Sequence, residues 1–123
     1  MGLDQYAYIN ATREEGELTA DTEFYWRKHS RLQTLMEQLW LEEGRDIEKL
    51  NCADFELTRD HIERLHEAVN TGYKEYPCIG GFFYGHQFQE EAVAANRPED
   101  ERFVQSALAA LDRGERVIYH PWW

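Results

Sequence analysis

Leu3-Asp4-Gln5-Tyr6-Ala7-Tyr8-Ile9 alternates in character and is rich in strand formers, and Arg116-Val117-Ile118-Tyr119-His120 repeats that texture near the other end of the chain. Aromatic and β-branched side chains suit a pleated, half-buried surface, so both stretches read as strands. Their placement predicts a small antiparallel sheet in which the two terminal strands pair. Between them the apolar residues recur at helical spacing. Tyr25, Leu32, Leu35, Met36, Leu39 and Trp40 share one stripe, which predicts a long helix from about Thr22 to Glu43. Asp21 or Thr22 would cap it and Gly44 would stop it. Asn10 to Thr19, with Gly16 and a cluster of charges, reads as turn or loop.

Further along, Phe55-Glu56-Leu57 is a short extended piece that leads into Thr58, a natural N-cap. The spacing predicts a second helix from about Arg59 to Asn70, with Ile62, Leu65 and Val69 facing inward and Gly72 closing it. Pro77 excludes helix continuation, and Gly80-Gly81-Phe82-Phe83-Tyr84-Gly85 reads as a strand or a tight aromatic loop. Pro98 marks the first turn of a third helix, whose stripe is Phe103, Val104, Ala107, Leu108 and Leu111, ended by Gly114. The fold class that follows is α+β, with one antiparallel sheet packed against three helices in a single domain over residues 1–123.

Charge narrows the function classes. The 123 residues carry 24 Asp and Glu against 13 Lys and Arg, a formal net charge of −11. Such a surface repels nucleic acid and anionic membrane, so direct binding of either is not expected. It suits instead a protein partner with a basic surface. Aromatic residues make up 14% of the chain, enough that some rings should reach the surface, where Trp and Tyr serve as binding anchors. Cys52 and Cys78 stand far apart and form no CxxC pair, which argues against a disulfide scaffold and a zinc ribbon. No basic, apolar leader opens the sequence and no stretch is long and apolar enough to span a bilayer, so the expected setting is the cytoplasm.

The side chains that carry chemistry form no strong motif. His61 and His66 lie five apart on one predicted helix and do not share a face. Glu63 and His66 have the spacing of half a di-iron motif without the second half, and His86 with Glu90 is an equally incomplete pair. No metal or other cofactor is therefore expected, although a metal-assisted hydrolase built on His86 and Glu90 stands as a third reading. The only serines, Ser30 and Ser106, lie within predicted helices and outside any nucleophile elbow. Cys78 and His86 flank the glycine-rich aromatic segment, but nothing in their spacing brings them together. Tyr25, Trp26, Arg27, Phe83 and Tyr84, with the neighbouring His86, are the candidate binding residues. A pocket of these rings beside an arginine could hold a nucleotide-like small molecule by stacking and cation–π contact. The same aromatics filling the seam between sheet and helices is the plainer alternative.

Three stretches carry a family resemblance: Met1-Gly2-Leu3-Asp4 with Tyr6 and Tyr8, then Tyr25-Trp26-Arg27-Lys28, then Gly81-Phe82-Phe83-Tyr84-Gly85. In this order, and with an aromatic C-terminal strand ending in Trp, they resemble a family of small phage and prophage proteins. This chain departs from that family's pattern at Gln5, at His86 and in its His120-Pro121-Trp122-Trp123 ending. The resemblance implies a viral origin and an accessory role in the host cytoplasm, with no enzymatic chemistry attached. By analogy with other small acidic phage proteins, the expected activity is to bind and inhibit a host protein, a component of an anti-phage defence system. A small-molecule sequestering protein is the alternative. The Trp122-Trp123 end suggests homo-oligomerisation, and a packed C-terminal strand accounts for it equally well.

Overall fold

A computed structural model of the chain describes residues 3–76 and 89–123. The strands are β1 (Asp4–Ile9), β2 (Thr12–Glu14), β3 (Glu17–Thr19), β4 (Thr22–Arg27), β5 (Phe55–Glu56) and β6 (Val117–Trp122). The helices are α1 (Ser30–Glu42), α2 (Arg59–Asn70) and α3 (Gln89–Asp112), with a short 3-10 turn at Ile47–Lys49. The class is α+β, as expected from the sequence. Four strands form an antiparallel sheet in the order β4-β1-β6-β5, and β2 pairs with β3. The terminal strands do pair, Asp4 opposite Trp122 through Ile9 opposite Val117.

Two expectations for the first third of the chain are corrected. Thr22–Arg27 is a strand and not the start of the long helix, which begins only at Ser30. Phe24 and Trp26 alternate with Glu23, Tyr25 and Arg27, and this period of two buries the first pair against the helices while leaving the second set exposed. Lys28, at φ +57°, breaks the chain between strand and helix, and the His29 side chain caps α1 by accepting the Leu32 N–H. Residues 10–19 are likewise the tip of a hairpin and not a loop. β1 pairs with β4 and β2 with β3, and the hairpin closes through Glu15 and Gly16, both with positive φ. Two such residues in succession define the turn whose twist matches that of paired strands, which is why Gly16 is there.

The second helix lies where the sequence places it. Thr58 and His61 form a reciprocal capping box, and Ile62, Leu65 and Val69 are buried. The third is a correction: Pro98 sits inside α3, nine residues after its start. Ala92, Ala94 and Ala95 are strong helix formers that carry the helix across the missing N–H. The expected stripe holds, with Phe103, Val104 and Ala107 in the core and Leu108 and Leu111 packed at its margin. Phe103 meets Trp26 edge-on at 5.4 Å and Phe24 at 5.3 Å, locking α3 to the inner face of β4. The aromatic segment 80–85 lies outside the described residues.

Candidate functional site

Alternation along each strand gives the sheet two unlike faces. The inner face carries Gln5, Ala7 and Ile9 from β1, Phe24 and Trp26 from β4, and Val117 and Tyr119 from β6, all buried. The register sets the opposite face out in rows. Arg27, Asp4 and Trp122 form the first row; Tyr25, Tyr6 and His120 the second; Glu23, Tyr8, Ile118 and Glu56 the third.

That outer face is aromatic. Tyr25 is 46% exposed and Trp122 56%, while Tyr6 and Tyr8 are half-buried. The Tyr6 ring lies 5.2 Å from Tyr25 and 6.4 Å from Tyr8, nearly parallel to the latter. The Tyr25 hydroxyl donates to Asp4 Oδ1 at 2.6 Å, and this bond raises the Tyr25 phenol above its ordinary pKa. One edge of the face is closed by a clamp. Arg13, on the hairpin, holds Asp54 through two guanidinium nitrogens, and His120 Nδ1 lies 3.0 Å from the same carboxylate. Hydrogen bonds from Arg13 first, and then from His120, hold Asp54 below the usual carboxylate range against the opposing effect of burial. Aromatic rings beside paired charges are a composition that binding surfaces share.

A cluster of catalytic type does exist, and it is sealed in the core. Asp100, 1% exposed, accepts from Trp26 Nε1 at 2.8 Å, from the Tyr73 hydroxyl at 2.9 Å and from His29 Nε2 at 2.8 Å. His29 Nδ1 accepts the Leu32 N–H at 3.4 Å, so the ring carries its proton on Nε2. Gln5 pairs with the His29 backbone in both directions, at 2.8 and 3.0 Å, and donates to the Tyr119 hydroxyl, which donates in turn to Gln33. Burial first, then the charge of Asp100, pushes the Tyr73 phenol well up. Among the described residues no buried side-chain polar atom lacks a partner. A fully satisfied, buried network of this kind joins elements to one another.

Gln5, His29, Gln33 and Asp100 were missed as a group by the sequence reading. The signal was available: each is a polar residue on a stripe or an alternation that is otherwise apolar, Asp100 one turn before Phe103 and Val104, Gln5 between Leu3 and Ala7. Of the candidate binding residues, Tyr25 and Arg27 share the outer face, whereas Trp26 lies on the other side of the sheet, 2% exposed. Trp26 and Arg27 therefore cannot line one pocket. Phe83, Tyr84 and His86 lie outside the described residues, as do Cys78 and the Glu90 side chain.

A second surface is acidic. Between the end of α1 and the start of α2, a groove is lined by Glu42, Glu43, Asp60, Glu63 and Glu67, with His61 and Arg64 among them. Arg64 is engaged by both oxygens of Glu42, and His61 Nε2 lies 3.2 Å from Glu43. Among the described residues no group of three or more His, Cys, Asp or Glu side chains is arranged to hold a metal ion, and no helix is long and apolar enough to cross a membrane. No family model matches the sequence, and no curated protein and no solved structure is detectably similar to it.

Proposed function

We propose that this chain is a protein-binding module that uses the outer face of its sheet, on which no helix packs among the described residues, to engage a basic surface on a partner protein. The observation that carries the reading is the exposure of Tyr25 and Trp122 on the same face as Tyr6 and Tyr8, on strands held rigid from beneath by the Asp100 network. Pre-ordered rings lose little freedom on binding and make good anchors. The net charge of −11, concentrated in part along the α1–α2 groove, supplies long-range attraction to a basic partner. With the resemblance to phage proteins, the reading becomes specific: an accessory factor that occupies a host protein of an anti-phage defence system in the host cytoplasm. The nucleotide-binding alternative has lost its joint Trp26–Arg27 pocket.

A photo-crosslinking residue placed at Trp122, with one at Leu41 as the control, tests the surface. Leu41 is 53% exposed on α1, the helix whose Gln33 meets Tyr119 of the inner face. The expected result is a specific host adduct from position 122, weakened by added salt and absent from position 41. Equal labelling from both positions, or an adduct indifferent to salt, overturns the proposal.

A further inference from the structure

The two edges of the sheet are built differently. β5, at one edge, has only two residues, and a short edge offers little to an incoming strand. β4, at the other, has six residues, contains neither proline nor lysine, and among the described residues pairs with β1 alone. The register fixes which of its backbone groups are free. Lys28 N–H bonds Leu3 carbonyl at 2.8 Å, so the even-numbered residues of β4 face β1. Glu23, Tyr25 and Arg27 therefore direct their N–H and C=O groups away from the sheet.

The same three residues present their side chains on the outer face, and their order is self-complementary. A second β4 laid antiparallel with Tyr25 opposite Tyr25 puts Glu23 opposite Arg27 and Arg27 opposite Glu23. The parity is also right, because all three pairs fall at positions whose backbone groups point outward. Neither Glu23 nor Arg27 is engaged in an ion pair among the described residues, so both charges are available. The Tyr25 ring leans back over β1 to reach Asp4, away from the edge. A two-fold interface needs this pattern, in which residue i meets j while j meets i.

We propose that β4 is a homodimer interface: two copies pair antiparallel along Thr22–Arg27 about Tyr25, joining their sheets into one of eight strands. The occupant of the edge is thus a second copy of this chain, selected by the Glu23–Arg27 charge order. The joined sheet sets Tyr6 and Tyr25 of each copy in one ladder and doubles the aromatic face. This inference stands apart from the partner-binding proposal, since it requires no other protein.

Sedimentation velocity across the micromolar range tests it, with far-UV circular dichroism to verify that each variant is folded. The wild-type chain is expected at the mass of two chains. Glu23→Arg and Arg27→Glu each place like charges opposite one another and are expected to shift the species to the mass of one. Glu23→Arg combined with Arg27→Glu restores the order of signs and is expected to restore the dimer. A wild-type monomer throughout, single reversals that remain dimeric, or a folded double variant that stays monomeric would each overturn the proposal.

Discussion

The two faces of one sheet meet opposite demands with adjacent residues of the same strands. Trp26 is buried and donates its indole N–H to a buried carboxylate, while Tyr25, one residue away, is half in solvent and donates to the exposed face's Asp4. Inside, polar groups are costly unless every one has a partner, so Asp100, His29, Gln5 and Tyr73 are bonded to one another in fixed geometry. Outside, water stands ready to replace any lost bond, so side chains there are free to serve recognition. The difference teaches where substitutions should damage the fold and where they should damage only binding.

The sharpest break in that contrast is Asp100→Ala. It leaves the Trp26, His29 and Tyr73 donors buried without an acceptor, and it should cost about 3–5 kcal/mol in urea denaturation. Since a domain of this size holds roughly 5–15 kcal/mol in all, the variant stands near the limit of folding. A loss below about 1 kcal/mol would mean that the network does not hold the elements together. Trp26→Phe is milder, because Asp100 keeps two donors and the ring still meets Phe103. The expected loss is about 1–2 kcal/mol, with Tyr25→Phe on the other face costing less than half as much.

His61 stands between the two environments and sharpens the comparison by pH. Its Nδ1 accepts the Thr58 N–H at 3.1 Å, and burial, opposed by Glu43, Asp60 and Glu42 and aided by Arg64, lowers its pKa below the ordinary value. The folded protein therefore holds the neutral ring more strongly than the unfolded chain does. Stability from this group is present above the unfolded pKa of about 6.5 and is lost as pH falls through and below it. His61→Gln keeps a capping-box acceptor without a titrating ring, so its melting temperature should fall less than that of wild type between about pH 7 and pH 5. Parallel curves for the two proteins would show that His61 is not the titrating group.

How much of this was legible in the sequence follows from how many forces agreed at each position. At Thr58–Gly72 the cap, the 3.6-residue period and the glycine stop all point to one helix, and the structure has it there. At Thr22–Arg27 they conflict. Tyr25 happens to fit the stripe of Leu32, Leu35 and Met36, so the helical period extends backward over residues whose own alternation is that of a strand. Pairing with β1 decides the matter, and that is a contact between residues 13 to 23 positions apart, invisible to a local window. The buried network was hidden for a related reason: Gln5 and Asp100 look like surface residues until the partners that satisfy them, from β4, the α1 cap, the turn after α2 and β6, are brought together. The outer face was half legible, since Tyr25 and Arg27 were singled out, while Tyr6 and Trp122 needed the register to join them.

The smallest effect on stability should come from Trp122→Ala. The side chain is more than half in solvent and only its backbone lies in the β1–β6 ladder, so the cost should stay within about 0.5 kcal/mol. Its effect on partner binding should run the other way: anchors of this kind lose about 2 kcal/mol or more when truncated, at least a tenfold weakening. The ratio of the two effects is the measurement that matters, read by chemical denaturation and by titration against the crosslinked partner. A large stability loss with unchanged affinity would place Trp122 with the inner face in kind, as a packing residue, and would move the binding surface to the acidic groove between α1 and α2.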